Sequence, residues 1–344
     1  MGIQQTGSFI GPVRRTSRPA RVAGLAVLAA GALMAQQAQA SEGGASVYLL
    51  GSGGPEAAEA PPLKGVFFAN TAYYYWGSAA GGKQFPVGGN IVAGLDAKIA
   101  ADFPTVLWVP STNFAGGVLG LGAALPVGDP MANVSAVITG PLGHQFGVSA
   151  SDSALIVGDP ILTALLGWKS DKTSVQVSTL VNIPIGDYRD GQLANLAFHR
   201  WAVDASSALT WHDDKSGWDL SAKTGLTFNG TNPATHYKTG TELHVEASVE
   251  KTLSPAWSAG LQGFYFQQVT GDSGSGATLG PFKGRDLGAG ANVAYHFMLG
   301  KMPATLRLHG TGEFDVANRL QGAAVWLDFS VPLKLVLPRA PAAR

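Results

Sequence analysis

Between Trp201 and Phe228 the side chains alternate with a period of two. Trp201, Val203, Ala205, Ser207, Leu209 and Trp211 share one parity, and Ala202, Asp204, Ser206, Ala208, Thr210 and His212 the other. After the polar turn Asp213–Gly217, Trp218, Leu220, Ala222, Thr224, Leu226 and Phe228 alternate with Asp219, Ser221, Lys223, Gly225 and Thr227. A period of two means β-strand, because successive side chains point to opposite faces of a sheet. Two such runs around a short turn predict a hairpin. Trp201 and Trp211 lie on one face, roughly 33 Å apart along a strand at ~3.3 Å per residue. Tilted by ~40°, that span projects to about 25 Å, the height of the apolar band between the aromatic girdles of an outer-membrane barrel.

The same period recurs along the chain. Ile91, Ala93, Leu95, Ala97 and Ile99 alternate with Gly94, Asp96, Lys98 and Ala100. Val175 to Ile183, Leu243 to Val249, Trp257 to Tyr265, Leu287 to Phe297, Leu306 to Phe314 and Val325 to Val331 behave alike. Between Pro104 and Lys169 the alternation is poor, and Gly158-Asp159-Pro160 interrupts it. The aromatic cluster Tyr73-Tyr74-Tyr75-Trp76 suits an interfacial belt. The count comes to about 12 strands, with ten or fourteen also compatible, since bacterial barrels take even numbers. The expected fold is all-β: an antiparallel transmembrane β-barrel. Short intervals predict periplasmic turns and long polar ones, such as Asp187–Gly191 and Gly271–Gly284, external loops.

Composition supports this reading. The chain of 344 residues is 46% hydrophobic but only 13% charged, with 46 Gly and no Cys. A soluble domain averages about 25% charged residues, whereas half of each barrel strand faces lipid. Without cysteine there is no disulfide framework, thiol nucleophile or thiolate metal site. Residues 1–40 carry Arg14, Arg15, Arg18 and Arg21, then the apolar run Val22 to Ala35 and the cleavage signal Ala38-Gln39-Ala40. This predicts a cleaved signal peptide, the run being shorter than the ~20 residues of a membrane span. The remainder has 19 basic and 23 acidic side chains, so no basic stripe points to nucleic acid. The expected organisation is signal peptide 1–40, N-terminal linker or hatch 41–64, barrel 65–333 and tail 334–344.

Ionisable residues on the parity opposite the aliphatic set are the candidate lumen lining: Asp96, Lys98, Asp204, His212, Asp219, Lys223, His244, Glu246, Glu250, Arg307, His309, Glu313 and Asp328. Each would cost several kcal/mol in hydrocarbon, roughly 2–4 for a basic group at midplane. They either pair to fill a narrow barrel or line a solute path. Tyr48 to Pro62 is apolar at its start, Gly-rich in its middle and closed by Pro61-Pro62. It cannot serve as a central strand, because proline lacks the ladder donor. It can fold back compactly, which makes Tyr48, Leu49 and Leu50 hatch candidates, against the alternative of a free periplasmic tail.

Chemistry-bearing motifs fail. Gly271-Asp272-Ser273-Gly274 imitates a protease nucleophile signature, but a triad is defined by geometry and no matching histidine motif precedes it. Asp213-Asp214 and the pair Asp187 and Asp190 lack a calcium ladder. The seven His show no H-E-x-x-H spacing. Gly117 to Gly122 precedes no helix, so no phosphate cradle is expected. No catalytic residue, metal or cofactor is expected.

The ordered series Tyr48-Leu49-Leu50-Gly51, Pro61-Pro62, Tyr73-Tyr74-Tyr75, Gly158-Asp159-Pro160, Pro184-Ile185-Gly186-Asp187-Tyr188, Arg200-Trp201 and Gln268-Val269-Thr270-Gly271-Asp272 resembles a family of bacterial outer-membrane proteins. They are catalogued as meta-pathway phenol-degradation proteins or simply as transporters. The resemblance runs roughly from Ser46 to Phe329. It implies a barrel in the bacterial outer membrane linked to passive uptake of small hydrophobic or aromatic solutes, without phenol chemistry by the chain itself. The implied partners are outer-membrane lipid, the solute and the barrel-assembly machinery. The rival readings are a structural or adhesive barrel with a blocked lumen, an outer-membrane enzyme and a secreted all-β protein.

Overall fold

A computed structural model describes residues 42–79, 84–87, 90–139, 145–153 and 155–336. The expected signal peptide, and residues 337–344 of the expected tail 334–344, lie outside the described residues. After a short 3-10 turn at Glu42–Gly44, the described chain is built from strands: β1 (Lys64–Ser78), β2 (Gln84–Val87), β3 (Asn90–Ala93), β4 (Leu95–Phe114), β5 (Gly117–Ala124), β6 (Val127–Thr139), β7 (Gln145–Ser153), β8 (Ile156–Val157), β9 (Ile161–Ser170), β10 (Thr173–Asn182), β11 (Ala202–Asp213), β12 (Trp218–Asn229), β13 (Glu242–Ser254), β14 (Trp257–Gln268), β15 (Arg285–Leu299), β16 (Met302–Glu313) and β17 (Gln321–Val336).

Twelve of these strands, β1, β4, β5 and β9 to β17, form a closed antiparallel barrel. β1 closes it by pairing with β17 on one side and β4 on the other. The ladder with β17 runs from Lys64↔Val336 to Ser78↔Gln321, so the last strand reaches past the expected boundary at 333. Closure leaves the twelve-strand wall without a free edge, the condition for a sheet in hydrocarbon. β6, β7 and β8 continue β5 and β9 as a ribbon; β6 pairs β4 from Leu95↔Val134 to Asp102↔Val127 within the wall, and on its other side pairs both β7 and β8. The strand breaks fall at Leu125-Pro126 and Gly158-Asp159-Pro160, which is why alternation is poor there in the sequence.

Tight turns gather at one end. Ala115-Gly116, Asp171-Lys172 and Gly300-Lys301 join their strands with two residues, using left-handed backbone at Ala115, Gly116, Asp171 and Gly300. Long connections gather at the other end: 183–201, 230–241 and 269–284. This asymmetry sets the tight turns in the periplasm and the long loops outside. Exposed rings mark two belts. Tyr74, Trp76, Trp201 and Phe228 lie towards the loops, and Trp108, Trp211, Trp218 and Trp257 towards the turns.

The central hairpin has its parity as the alternation predicts. In β11, Val203 and Leu209 face out while Asp204, Ala208 and Thr210 are buried inside. In β12, Leu220 and Phe228 face out while Asp219, Ser221 and Thr227 are buried. The aromatic cluster of β1 divides, as alternation requires. Tyr74 and Trp76 face out, whereas Tyr75 is buried inside and Tyr73 packs against Trp326 with ring centroids 5.3 Å apart.

Candidate functional site: the barrel lumen

The lumen holds residues 42–63, which run through it from the loop end to the turn end. At the loop end Glu42 meets Asn232 Nδ2 at 3.1 Å and lies 3.7 Å from Arg200, and Ser46 Oγ donates to Glu242. At the turn end Glu59 meets Lys169 at 3.0 Å and accepts from Ser174 Oγ at 2.8 Å. Between these, the Glu246 carboxylate accepts the Gly51 amide at 2.9 Å and the Gly53 amide at 2.6 Å. Gln262 Nε2 donates to the Gly51 carbonyl. The Glu56 amide donates to Asp219 and the Ala58 amide to Thr210 Oγ1.

Both glycines are needed here. Gly51 has φ +90°, and a Cβ there would lie 2.9 Å from the Trp326 ring; a Cβ on Gly53 would lie 2.8 Å from Glu246 Oε2. Tyr48 is buried and stacks flat on His244, with centroids 3.5 Å apart and planes at 10°. Lys223 Nζ sits 4.9 Å from the Tyr48 ring centroid, a cation–π contact.

The candidate lining residues of β11 to β17 all point inward. Asp204 accepts from Thr227 Oγ1 at 2.7 Å and from Ser206, and pairs with His244 Nε2 at 3.0 Å. The same imidazole nitrogen faces Ser206 Oγ and the carboxylate, so these three residues do not form a nucleophile relay. His212 pairs with Asp219, and Arg307 with Glu250 and Asn292 Oδ1. His309 bridges Gln262 and Asp328, and Glu313 accepts from the Tyr75 hydroxyl and the Gly322 amide. The lower lumen is therefore filled by paired polar groups and the N-terminal segment.

Asp96 and Lys98 require correction. Both are exposed on the outer side of β4, opposite Ser78 and Trp76 of β1. Leu95, Ala97 and Ile99, the expected lipid set, line the interior instead. Two physical facts invert the parity. These rungs lie level with the outer aromatic belt, where charge meets headgroups rather than hydrocarbon. The interior at this height is apolar.

That interior is a chamber of about 230 Å³ at the loop end, bounded on one side by residues 42–50 of the N-terminal segment. Its apolar walls include Leu49, Leu50, Tyr73, Phe103, Phe264 and Trp326. The loop 183–201 adds Leu193, Leu196 and Phe198, and is pinned at Asp159. That carboxylate accepts from Asn182 Nδ2 and from the Gly186, Phe198 and His199 amides. Asp272, from the tetrapeptide that imitates a protease motif, accepts from Gly240, Gln268 and Tyr237 and so ties two loops together. Among the described residues no acidic or histidine cluster is arranged to hold a metal ion.

Parity reasoning missed the chamber's polar residues Arg200 and Arg319, because both lie on loops; Asn182 has the polar parity of its strand but no charge, and so was not among the ionisable candidates. It also missed Trp326, since a ring on the lumen parity gives no charge signal.

A profile of the family described as "Putative MetA-pathway of phenol degradation" matches residues 80–329. The chain belongs to this family. Among solved structures, a COG4313 outer-membrane channel from Pseudomonas putida F1 is 16% identical, covering 80% of this chain and 98% of its own, with a TM-score of 0.61. A FadL homologue from Pseudomonas aeruginosa is 12% identical, with coverages of 80% and 93% and a TM-score of 0.40. No curated protein sequence matches the chain. The family member described here is thus a bacterial outer-membrane β-barrel.

Proposed function

We propose that the barrel is a passive channel for small hydrophobic or aromatic solutes and not an enzyme. The observation that carries this reading is the apolar chamber at the loop end of the lumen. An apolar cavity with a few placed polar groups is the usual form of a small-molecule site. Residues 42–63 act as a hatch, with Tyr48, Leu49 and Leu50 forming its upper face. Movement of this segment opens the way from chamber to periplasm. The charged pairs below serve to hold it, rather than to line a wide aqueous pore. Insertion by the barrel-assembly machinery and the absence of nucleic-acid partners belong to the same reading.

The rival, a barrel whose lumen stays blocked, draws on the close packing of that segment against Glu246 and His244. Flux into proteoliposomes separates the two. The mature chain is expected to pass apolar aromatics and alkanes faster than empty vesicles do, with little passage of sugars. Equal flux with and without protein supports the blocked barrel.

A further inference from the structure

Two cavities lie against the same strip of wall. The chamber at the loop end is lined there by Tyr73 of β1, Phe103 of β4 and Trp326 of β17. A second cavity, of about 350 Å³, lies at the turn end and is lined by Pro61, by Phe67 and Ala69 of β1, by Thr105 and Leu107 of β4 and by Ser330 of β17. The two linings occupy successive inward rungs. Phe67 pairs Leu107, Ala69 pairs Thr105 and Ser330, and Tyr73 pairs Trp326. One inward rung separates them, Thr71 opposite Phe103 and Asp328. Ala69 and Tyr73 are thus about 13 Å apart along β1, at ~3.3 Å per residue. Thr71 Oγ1 donates to Asp328 Oδ1 at 2.6 Å, and His309 Nε2 faces the other carboxylate oxygen at 2.8 Å. The Asp328 side chain still keeps 33% of its surface exposed, although it points into the barrel.

The N-terminal segment turns away from this strip. Below Gly51 its polar contacts go to Glu246, Asp219, Thr210, Ser174 and Lys169, on β13, β12, β11, β10 and β9, across the barrel from β1. Arg307 of β16 reaches Glu56 as well. We propose that the way through the barrel runs along the strip of β1, β4 and β17, past the segment rather than in its place, with the rung of Thr71 and Asp328 as its gate. Only the upper part of the segment has to shift. Leu49 packs on the cluster that contains Trp326, and Gly51 lies against the same ring. The gate also filters charge. Arg307, the rung partner of Asp328 on β16, turns to Glu250 and Glu56. A partly exposed carboxylate at a narrow point favours cations and opposes anions, as acidic rings do in cation channels. This path rests on the channel reading and gives it a route and a charge preference.

The test is planar-bilayer recording of the full mature chain in potassium chloride. The chain has no cysteine, so an introduced thiol is the sole target of a thiol reagent. In Thr71→Cys, a methanethiosulfonate reagent is expected to remove most of the current. Ala58→Cys with Thr210→Cys ties the segment to β11 where the Ala58 amide meets Thr210, and oxidation of that pair is expected to leave the current as it was. The wild-type protein should favour potassium over chloride in a salt gradient, and Asp328→Asn should lose most of that preference. The route is overturned if the thiol at the gate does not react, if its modification leaves the current unchanged, or if the tether stops the current. An unchanged ion preference in the Asp328 variant removes the charge filter. Each thiol comparison is made on one folded channel before and after treatment, so a folding defect cannot imitate either result. A protein that passes apolar solute into vesicles but no ions overturns the route alone; one that conducts ions but passes no such solute overturns the solute reading and leaves the route standing.

Discussion

The Glu246 carboxylate spends both its oxygens on backbone amides of one short stretch, Gly51 to Gly53. Bonds from amides to an ionised acceptor are about twice as strong as neutral ones. Replacing Glu246 with Ala should therefore leave two buried amides unpaired and loosen the segment, while the twelve-strand ladder keeps its own bonds. Planar-bilayer recordings should show E246A conducting more than the wild type, with heat-dependent gel mobility unchanged. Gly53→Val should act in the same direction by steric conflict with that carboxylate. Single residues also show where the sequence was legible. His244 and Asp204 were readable as inward because lipid forbids the alternative. Arg200 was not, since a loop residue has no parity. Asp96 and Lys98 misled because a charge at belt height pays no hydrocarbon penalty, while the aliphatic residues beside them found an apolar interior.

Among the elements, the hairpin of β11 and β12 carries the cleanest division between lipid and lumen. Leu220 is 47% exposed, and Ala205 is exposed on the same outer side. Arginine at either position should cost roughly 2–4 kcal/mol, the penalty for a basic side chain near the bilayer midplane. Denaturant titration of folding into vesicles, read by gel mobility, checks this. The strands β10 to β17 could be read directly because a polar filling on one side and lipid on the other enforce the period of two. β4 to β9 could not. Prolines and glycines break them, β6 runs on beyond its pairing with β4, and the chamber makes both faces of β4 unusual. Asp159 shows what such a break is for. A residue that reads as a strand interrupter is the acceptor that gathers loop 183–201 over the mouth.

At the scale of the whole molecule, a small polar-filled barrel has little room, and the N-terminal segment takes most of it. Deleting residues 46–62 should leave the barrel folded, because the closing ladder of β1 with β17 begins at Lys64. Conductance to small solutes should rise, and the chamber should lose one of its sides. Bilayer recording and binding of an apolar aromatic on the same preparation check both outcomes; a deletion variant that conducts no better than the intact protein would remove the hatch from the mechanism.

The direction of that segment also constrains how the protein is made. Its earliest described residue, Glu42, lies among the external loops, yet β1 starts at the periplasmic end. The chain thus descends the full height of the barrel before returning up the wall. A finished barrel of this width cannot be threaded, so the seam between β1 and β17 must seal around a segment already laid in place. Anything joined ahead of Glu42 must then reach the cell-surface side before the seam closes. A folded fluorescent domain placed there should abolish the heat-modifiable barrel, and the same fusion should be tolerated once residues 42–62 are removed.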